Sequence, residues 1–307
     1  MTFIDTRLTE RRNPRTAEID LASALQIVDL INAEDRSVPE AVASQREPIA
    51  RAIDEAERTF RNGGRLFYVG AGTSGRLGVL DASECPPTFG TDPDLVQGII
   101  AGGLKALTRS QEGAEDRVEG AVDDLGAHGV RSGDFVIGIA ASGTTPYVRR
   151  ALAHARSVGA ATALVACSPP PTDALDVADI VIVPLTGPEV VTGSTRLKAG
   201  TATKLVLNTI TTGAMIRLGK TFGNLMVDLR ATNDKLRDRS ERILMEVCDV
   251  DRDGARRLLI SSGGTVKVAI VMHFLGTDRA AAEAALRDAG GIVRKVLNRS
   301  PPPVTSE

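Results

Sequence analysis

The chain has 307 residues and a formal net charge of −2, with 42% hydrophobic and 25% charged residues. These values are typical of an ordinary globular protein and show no polyelectrolyte-like attraction to nucleic acid or to a membrane surface. The aromatic residues are seven Phe and two Tyr, with no Trp, which disfavours a base-stacking platform. We therefore expect neither a nucleic-acid partner nor a membrane partner.

Three cysteines, Cys85, Cys167 and Cys248, lie far apart and form no CxxC pair. This usage argues against a disulfide framework or a zinc site and suits a reducing compartment. The first fifteen residues lack the apolar core of a signal peptide. No apolar stretch approaches the ~20 residues that a membrane-spanning helix needs. We expect a cytoplasmic protein without a metal site.

The N-terminal region reads as an arm followed by helices. Residues 1–17 are polar and predict an extended arm. Apolar residues from Ile19 to Ile31 recur at helical spacing, and Pro39 opens a second predicted helix that runs to Arg61. Together these elements define a predicted N-terminal arm and helices, residues 1–60.

Short apolar runs that predict strands alternate with helical patterns in the middle of the chain. The predicted strands are 66–70, 95–101, 135–140, 161–167 and 180–184, and the predicted helices between them are 75–84, 112–126 and 145–158. This alternation is typical of an α/β fold with a five-stranded parallel sheet flanked by helices, buried on both faces.

A long helix is predicted from Thr192 to Leu218, opened by a run of capping residues. Beyond Ser240, short helical patterns separated by glycines predict a small C-terminal helical domain. The predicted domains are residues 61–222 for the sheet, 223–300 for the helical domain and 301–307 for a disordered tail.

Two glycine- and hydroxyl-rich loops follow the first and third predicted strands. A strand that ends in such a turn before a helix presents N–H groups and hydroxyls to a phosphate. The spacing of Gly70, Gly72 and Gly75 fits a dinucleotide fingerprint, but no acidic residue ends the second strand. A small phosphate ester is therefore the better ligand, with ordinary capped turns as the alternative. The predicted binding residues are Gly72, Thr73, Ser74, Ser142, Gly143, Thr144 and Thr145.

Two carboxylates, Glu84 and Glu115, lie between the first loop and the second in the sequence. Pro86 and Pro87 should end the helix that carries Glu84, and the negative end of a helix dipole disfavours a charged carboxylate, which suits a general acid. Glu115 falls in the first turns of the next predicted helix, where the ionised form is favoured, which suits a general base. A nucleophilic role for Cys85 is a weaker alternative, because no His lies near it in the sequence.

Further along, Arg196 and Lys198 follow Ser194 and Thr195 at the start of the long predicted helix. These two cations can complement a phosphate or a carboxylate. The predicted binding residues of this segment are Ser194, Thr195 and Lys198. The alternative is a solvated helix face.

The residues of both loops belong to long ordered motifs that resemble those of the N-acetylmuramic acid 6-phosphate etherases. The matching segments are 70–78, running into 81–88, and 112–116, 138–143, 192–201 and 222–228. The resemblance extends from about residue 5 to residue 298. It implies a sugar isomerase (SIS) fold, a homodimer, no metal or nucleotide cofactor, and a phosphorylated amino sugar as substrate.

The resemblance also implies a reaction: cleavage of the D-lactyl ether by elimination and water addition, in the recycling of cell-wall amino sugar. It places the two catalytic glutamates on Glu84, as proton donor to lactate, and Glu115, as base toward the C2 proton or toward water. It leaves open which loop holds the phosphate and whether Lys198 serves its own site or a partner's.

One position departs from the family pattern, because Thr144 stands where these proteins often carry an Arg. The loss puts the anion contact of the second loop in doubt. Two rival functions remain: a non-catalytic phosphosugar-binding regulator similar to the glucokinase regulatory protein, and an aldose–ketose isomerase. The first is expected to need two SIS domains, and the second often needs a ring-opening His, which neither loop offers.

Overall fold

A computed structural model describes residues 7–229 and 234–303 of the chain. They divide into two compact units: residues 7–83 with 94–211, and residues 84–93 with 212–229 and 234–303. The predicted tail, 301–307, lies outside the described residues from 304 onward. Within the described ranges no single helix is long and apolar enough to span a membrane. Two consecutive helices, Arg252–Ser261 and Val266–Leu275, reach that length and apolar content only when taken together, and the chain bends by 102° between them.

The first unit contains a five-stranded parallel sheet with the order β2-β1-β3-β4-β5. Its elements are α1 (Ala24–Asp35), α2 (Val38–Ala43), α3 (Arg46–Arg61), β1 (Leu66–Gly70), α4 (Gly72–Phe89), β2 (Val96–Ile100), α5 (Lys105–Thr108), α6 (Val118–Ala127), β3 (Phe135–Ile139), α7 (Pro146–Ser157), β4 (Ala161–Val165), α8 (Thr172–Leu175), β5 (Ile180–Ile182) and α9 (Lys198–Arg217). The last turns of α4 and α9 belong to the second unit.

The strands are buried on both faces, as the continuous apolar runs predict. Every residue of β1 and β3 is buried, and α7 packs against β3 and β1 around Val148 and Leu152. The predicted α/β class and the five-stranded parallel sheet flanked by helices are confirmed.

The second unit is mainly helical, as predicted for the C-terminal region. It contains a two-stranded antiparallel hairpin that the sequence did not predict, β6 (Thr221–Phe222) and β7 (Leu225–Met226), followed by α10 (Asp234–Cys248), α11 (Arg252–Ser261), α12 (Val266–Leu275), α13 (Arg279–Asp288) and α14 (Val293–Leu297). Its core includes Leu244, Ala269, Ile270 and Ala282, all fully buried.

Several predicted helix starts are wrong, each for a local reason. The first helix begins at Ala24, because Ser23 and Gln26 form a capping box there; residues 19–21 form a separate 3₁₀ turn. The helix predicted from 112 begins at Val118, since Gly113 adopts a left-handed φ of 71°. The long helix begins at Lys198 rather than Thr192. Its first backbone N–H groups, those of Lys198 and Ala199, are bound by the Glu189 carboxylate.

Helix α4 continues through Pro86 and Pro87 to Phe89, so the prediction that the prolines end this helix is wrong. The two prolines lack the N–H groups that would bond to the carbonyls of Ala82 and Ser83. The helix nevertheless resumes, because Gly90 N–H donates to the Pro86 carbonyl at 2.9 Å.

A buried carboxylate, Asp81, holds α4 in place within the first unit. The Tyr68 hydroxyl from β1 donates to Asp81 at 2.8 Å, and the Asn208 amide and the Thr211 hydroxyl from α9 donate to it at 2.6 and 3.2 Å. Burial raises the pKa of the Asp81 carboxyl, although these three hydrogen bonds oppose the shift. These hydrogen bonds join the middle of α4 to the middle of β1 and to α9.

Candidate active site

A cavity of about 450 Å³ lies in the first unit, where two helices start after adjacent strands. The strand order reverses between β1 and β3, and ligands of open α/β sheets bind at such a switch point beyond the carboxyl ends of the strands. The residues that line it are Arg7, Glu10, Ala71, Gly72, Thr73, Ser74, Glu115, Asp116, Ala141, Ser142, Thr144, Thr145, Pro146, Gly193 and Thr195.

The first loop brings Thr73 and Ser74 into the cavity in the first turn of α4. The N–H groups of a first helical turn have no partner within the helix and carry the positive end of its dipole. Glycine is required for this tight turn, because a Cβ on Gly70 would lie 2.7 Å from the Gly75 nitrogen. The backbone can therefore approach an anionic group closely.

The second loop forms another wall of the same cavity. Ser142, Thr144 and Thr145 line the cavity just before α7, whose N-cap, Thr145, makes no side-chain capping bond. The hydroxyls of Ser142 and Thr144 lie 2.8 Å apart, and Thr144 N–H donates to the Ser142 hydroxyl at 3.2 Å. Gly143 has a φ of 75°, and a Cβ there would lie 2.8 Å from Pro170 Cα. Two helix N-termini and five hydroxyl-bearing residues of the two loops therefore face one cavity.

Glu115 reaches the cavity from a 3₁₀ turn, Ala114–Asp116, that precedes α6. The side chain is exposed. A second cavity of about 150 Å³ shares Ala71, Gly72 and Glu115 with the first one. Glu115 thus lies where the two cavities meet, and its carboxylate can act on a ligand that extends into both.

Arg7 and Glu10 of the N-terminal arm form one wall of the cavity, and the sequence did not predict this wall. The arm is held by hydrogen bonds to segments far along the chain. Gly193 N–H donates to the Thr9 carbonyl at 3.1 Å, and Thr9 N–H donates to the Ser168 hydroxyl at 3.3 Å. No local pattern could have revealed these contacts, since they join residues more than 150 positions apart.

The predicted binding residues therefore fall into two groups. Those that line the cavity are Gly72, Thr73, Ser74, Ser142, Thr144, Thr145 and Thr195. Gly143 and Ser194 belong to the same loops without being among the lining residues, and Gly143 instead shapes its loop against Pro170.

Lys198 lies elsewhere, buried with 1% of its side chain exposed. Its ammonium group is 2.6 Å from a carboxylate oxygen of Glu34, whose other oxygen is 2.5 Å from the Arg15 guanidinium. Burial alone would raise the pKa of Glu34, but hydrogen bonds from Arg15, Lys198 and Asn13 outweigh it and lower that pKa. This geometry gives Lys198 a role in holding α9 and the arm together.

Glu84 lies in the second unit, within α4, and its side chain is exposed. It is not among the described residues that line the cavity. Ser83, which precedes it, already stands eleven residues, about 16 Å of helix axis, from Gly72. Because α4 runs on to Phe89, the argument that a helix C-terminus makes Glu84 an acid does not hold.

Comparison with known proteins identifies the family. N-acetylmuramic acid 6-phosphate etherase from Gloeobacter violaceus is 55% identical over 293 residues, which cover 95% of this chain and 95% of that protein. The chain belongs to the N-acetylmuramic acid 6-phosphate etherase family. Etherases from Rhodopirellula baltica and Synechocystis sp. are 54% and 50% identical, over 94% and 96% of this chain and 95% and 96% of their own lengths.

A domain family described as the glucokinase regulatory protein N-terminal SIS domain matches residues 48–156. That match covers part of the sheet, whereas the likeness to the etherases covers nearly the whole chain. Among solved structures, a phosphoheptose isomerase from Neisseria gonorrhoeae aligns with a TM-score of 0.45 at 18% identity, over 62% of this chain and 98% of that one. The resemblance to the etherase family, which the sequence motifs predicted, is therefore confirmed.

Proposed function

We propose that this chain cleaves the D-lactyl ether of N-acetylmuramic acid 6-phosphate, giving D-lactate and N-acetylglucosamine 6-phosphate in the recycling of cell-wall amino sugar. The cavity at the switch point carries the proposal, because two helix starts and five hydroxyl-bearing loop residues surround a space suited to a phosphosugar. The etherase relatives, 50–55% identical over nearly their full length, support the choice of substrate.

An ether oxygen is a poor leaving group at neutral pH, so elimination is the accessible route. The open-chain sugar carries an aldehyde at C1, which acidifies the proton on C2. A base removes that proton while an acid protonates the departing oxygen on C3, and D-lactate leaves. Water then adds its oxygen to C3 of the unsaturated aldehyde, and a proton returns to C2. The net change is addition of one water molecule.

Glu115 is the base of this proposal. Its position at the meeting point of the two cavities supports the role, because a sugar held by its phosphate in one cavity can extend past Glu115 into the other. Glu115 acts either on the C2 proton or on the attacking water. Either task requires a carboxylate within hydrogen-bond reach of the C2–C3 bond.

Glu84 is the acid of this proposal, on the strength of the family resemblance. It is not among the described residues that line the cavity of its own chain. We infer a homodimer in which Glu84 of one copy serves the cavity of the other. Exposed apolar side chains, Leu21 at 79% and Leu25 at 72%, support a surface that a second copy covers.

Mixing two inactive variants tests this arrangement. Glu84→Gln and Glu115→Gln should each lose D-lactate release by orders of magnitude. If the two glutamates of one site come from different chains, a mixed dimer has one intact site, and random exchange restores about a quarter of wild-type activity. No recovery in verified mixed dimers would show that both glutamates act within one chain.

The elimination route has its own test in deuterated water. Elimination and readdition place solvent deuterium on C2 of the sugar product and water oxygen on C3. A direct displacement of lactate would leave the C2 proton in place. Product without deuterium at C2, measured by NMR at early conversion, would contradict the proposed route.

The regulator alternative makes a different prediction, which is tight phosphosugar binding without turnover. The residues described form one five-stranded sheet, while a protein like the glucokinase regulatory protein is expected to need two SIS domains. The three buried thiols, those of Cys85, Cys167 and Cys248, support a reducing, cytoplasmic setting for the enzyme.

A further inference from the structure

More negatively charged than positively charged side chains line the main cavity. Glu10, Glu115 and Asp116 contribute three carboxylates, and Arg7 is the one cationic side chain among the described residues that line it. A sugar phosphate carries up to two negative charges, and helix N-termini supply only partial positive charge. A phosphate in this cavity therefore needs the guanidinium group, which forms short charge-assisted hydrogen bonds to phosphate oxygens.

The position of Arg7 is set by the anchored arm behind it. Thr9, two residues on, is fully buried and bonded through its backbone to Gly193 and Ser168. Further along, the Thr16 hydroxyl donates to the Val190 carbonyl at 2.8 Å. These contacts attach the arm to the segment that leads into Gly193 and Thr195, on the wall of the same cavity. Arg7 therefore lies at the end of a segment whose backbone is fixed by hydrogen bonds to distant parts of the chain.

Thr144 lies in the same cavity and cannot supply the missing charge. Its hydroxyl is engaged with that of Ser142, 2.8 Å away. Thr144 is uncharged, and the other residues of the second loop that line the cavity, Ser142 and Thr145, carry no cation either. Arg7 offers a cation from a different part of the chain to the same space.

We propose that Arg7 is the phosphate-binding cation of this cavity and a specificity-determining residue, taking over the charge that Thr144 does not provide. The inference rests on the proposed function for the class of ligand, a sugar phosphate. Arg7 binds the phosphate and not the lactyl carboxylate. Substrate affinity should therefore depend on Arg7, while the chemical steps at C2 and C3 should not.

Calorimetric binding tests this role without requiring turnover. The ligands are N-acetylglucosamine 6-phosphate, which lacks the lactyl group, and N-acetylmuramic acid, which lacks the phosphate. Arg7→Ala should weaken binding of the phosphosugar about 10- to 100-fold. Binding of the unphosphorylated sugar should be unchanged. Arg12→Ala is the matched control, since Arg12 belongs to the same arm, is exposed and does not line the cavity.

A double variant tests whether an arginine at position 144 can replace Arg7. Adding Thr144→Arg to Arg7→Ala should restore phosphosugar binding to within a few-fold of the wild type. In lactate assays, Arg7→Ala should raise KM and leave kcat within about threefold. Unchanged phosphosugar binding in Arg7→Ala, or an equal loss for both ligands, would overturn the proposal.

The binding and lactate assays together distinguish a failure of the Arg7 proposal from a failure of the proposed function. Binding that depends on Arg7 in a wild-type protein that releases no D-lactate would defeat the etherase function and keep the role of Arg7. D-lactate release with phosphosugar binding independent of Arg7 would do the reverse.

Discussion

Lys198 and Glu34 form a buried ion pair, with 2.6 Å between the ammonium nitrogen and a carboxylate oxygen and at most 2% of either side chain exposed. The pair joins the first turn of α9 to α1, and Glu34 also holds Arg15 of the N-terminal arm. Two walls of the cavity, the arm and the segment before α9, therefore depend on one carboxylate. We infer that Lys198, which the sequence predicts in the binding site, acts as a positioning residue.

Removal of the ammonium group from this pair should destabilise the protein. Breaking a buried pair leaves an uncompensated charge, so Lys198→Met should lower the free energy of unfolding by about 3 kcal/mol. Lys204→Met, on an exposed position of the same helix, should change it by less than about 0.5 kcal/mol. Denaturant titrations provide both values. A loss below about 1 kcal/mol for Lys198→Met would contradict this role.

The stability of the protein should depend on Glu34 in acid. The pKa of Glu34 lies below its ordinary value of 4.5, so the folded state binds this proton less tightly than the unfolded state. Its contribution is complete above pH 4.5 and disappears as the pH falls below that value. The free energy of unfolding of the wild type should therefore fall more steeply below pH 4.5 than that of Glu34→Gln. Parallel curves for the two proteins would show that Glu34 contributes nothing.

The order of strands and helices in the sheet could be predicted from the sequence because each element has a local signal. Buried parallel strands give uninterrupted apolar runs, and the helix between β3 and β4 was predicted within one residue at each end. Helix starts were less predictable. Capping at Lys198 depends on Glu189, nine positions earlier, and no pattern within the helix itself reports that contact.

Gly143 should be required for both stability and ligand binding. An alanine there meets a left-handed φ of 75° and places its Cβ 2.8 Å from Pro170 Cα. Gly187→Ala is the matched control, with a φ of 70° and open space around the Cβ. Gly143→Ala should lose about 1–3 kcal/mol more of its unfolding free energy than this control, since overpacking adds to backbone strain. Similar losses in the two variants would contradict the close approach to Pro170.

The hydroxyls of the two loops should act in binding. Ser74→Ala and Ser142→Ala should each raise KM about tenfold, as expected for a hydrogen bond of roughly 1.5 kcal/mol to a charged group, with a smaller effect on kcat. Ser83→Ala is a control on the same helix, because its hydroxyl donates to the Leu80 carbonyl and does not line the cavity. Unchanged KM in both test variants would remove the phosphate-binding role of the loops.

The candidate site was predictable only where residues close in sequence share it. Thr73, Ser74, Ser142 and Thr144 could be found because each loop follows its own strand, and parallel strands end at one edge of the sheet. Arg7 could not be found in this way, since its arm reaches the cavity through contacts with distant segments. The helix end predicted at Pro86 and Pro87 is wrong, because α4 continues to Phe89, and the dipole argument for Glu84 depended on that end.

A coupled assay for D-lactate tests the central claim most directly. The wild-type protein is incubated with N-acetylmuramic acid 6-phosphate and, in parallel, with the unphosphorylated sugar. We expect D-lactate from the phosphorylated sugar only, with N-acetylglucosamine 6-phosphate in equal amount. Tight binding of the phosphosugar without any release of lactate would contradict the account and indicate a sensor in place of an etherase.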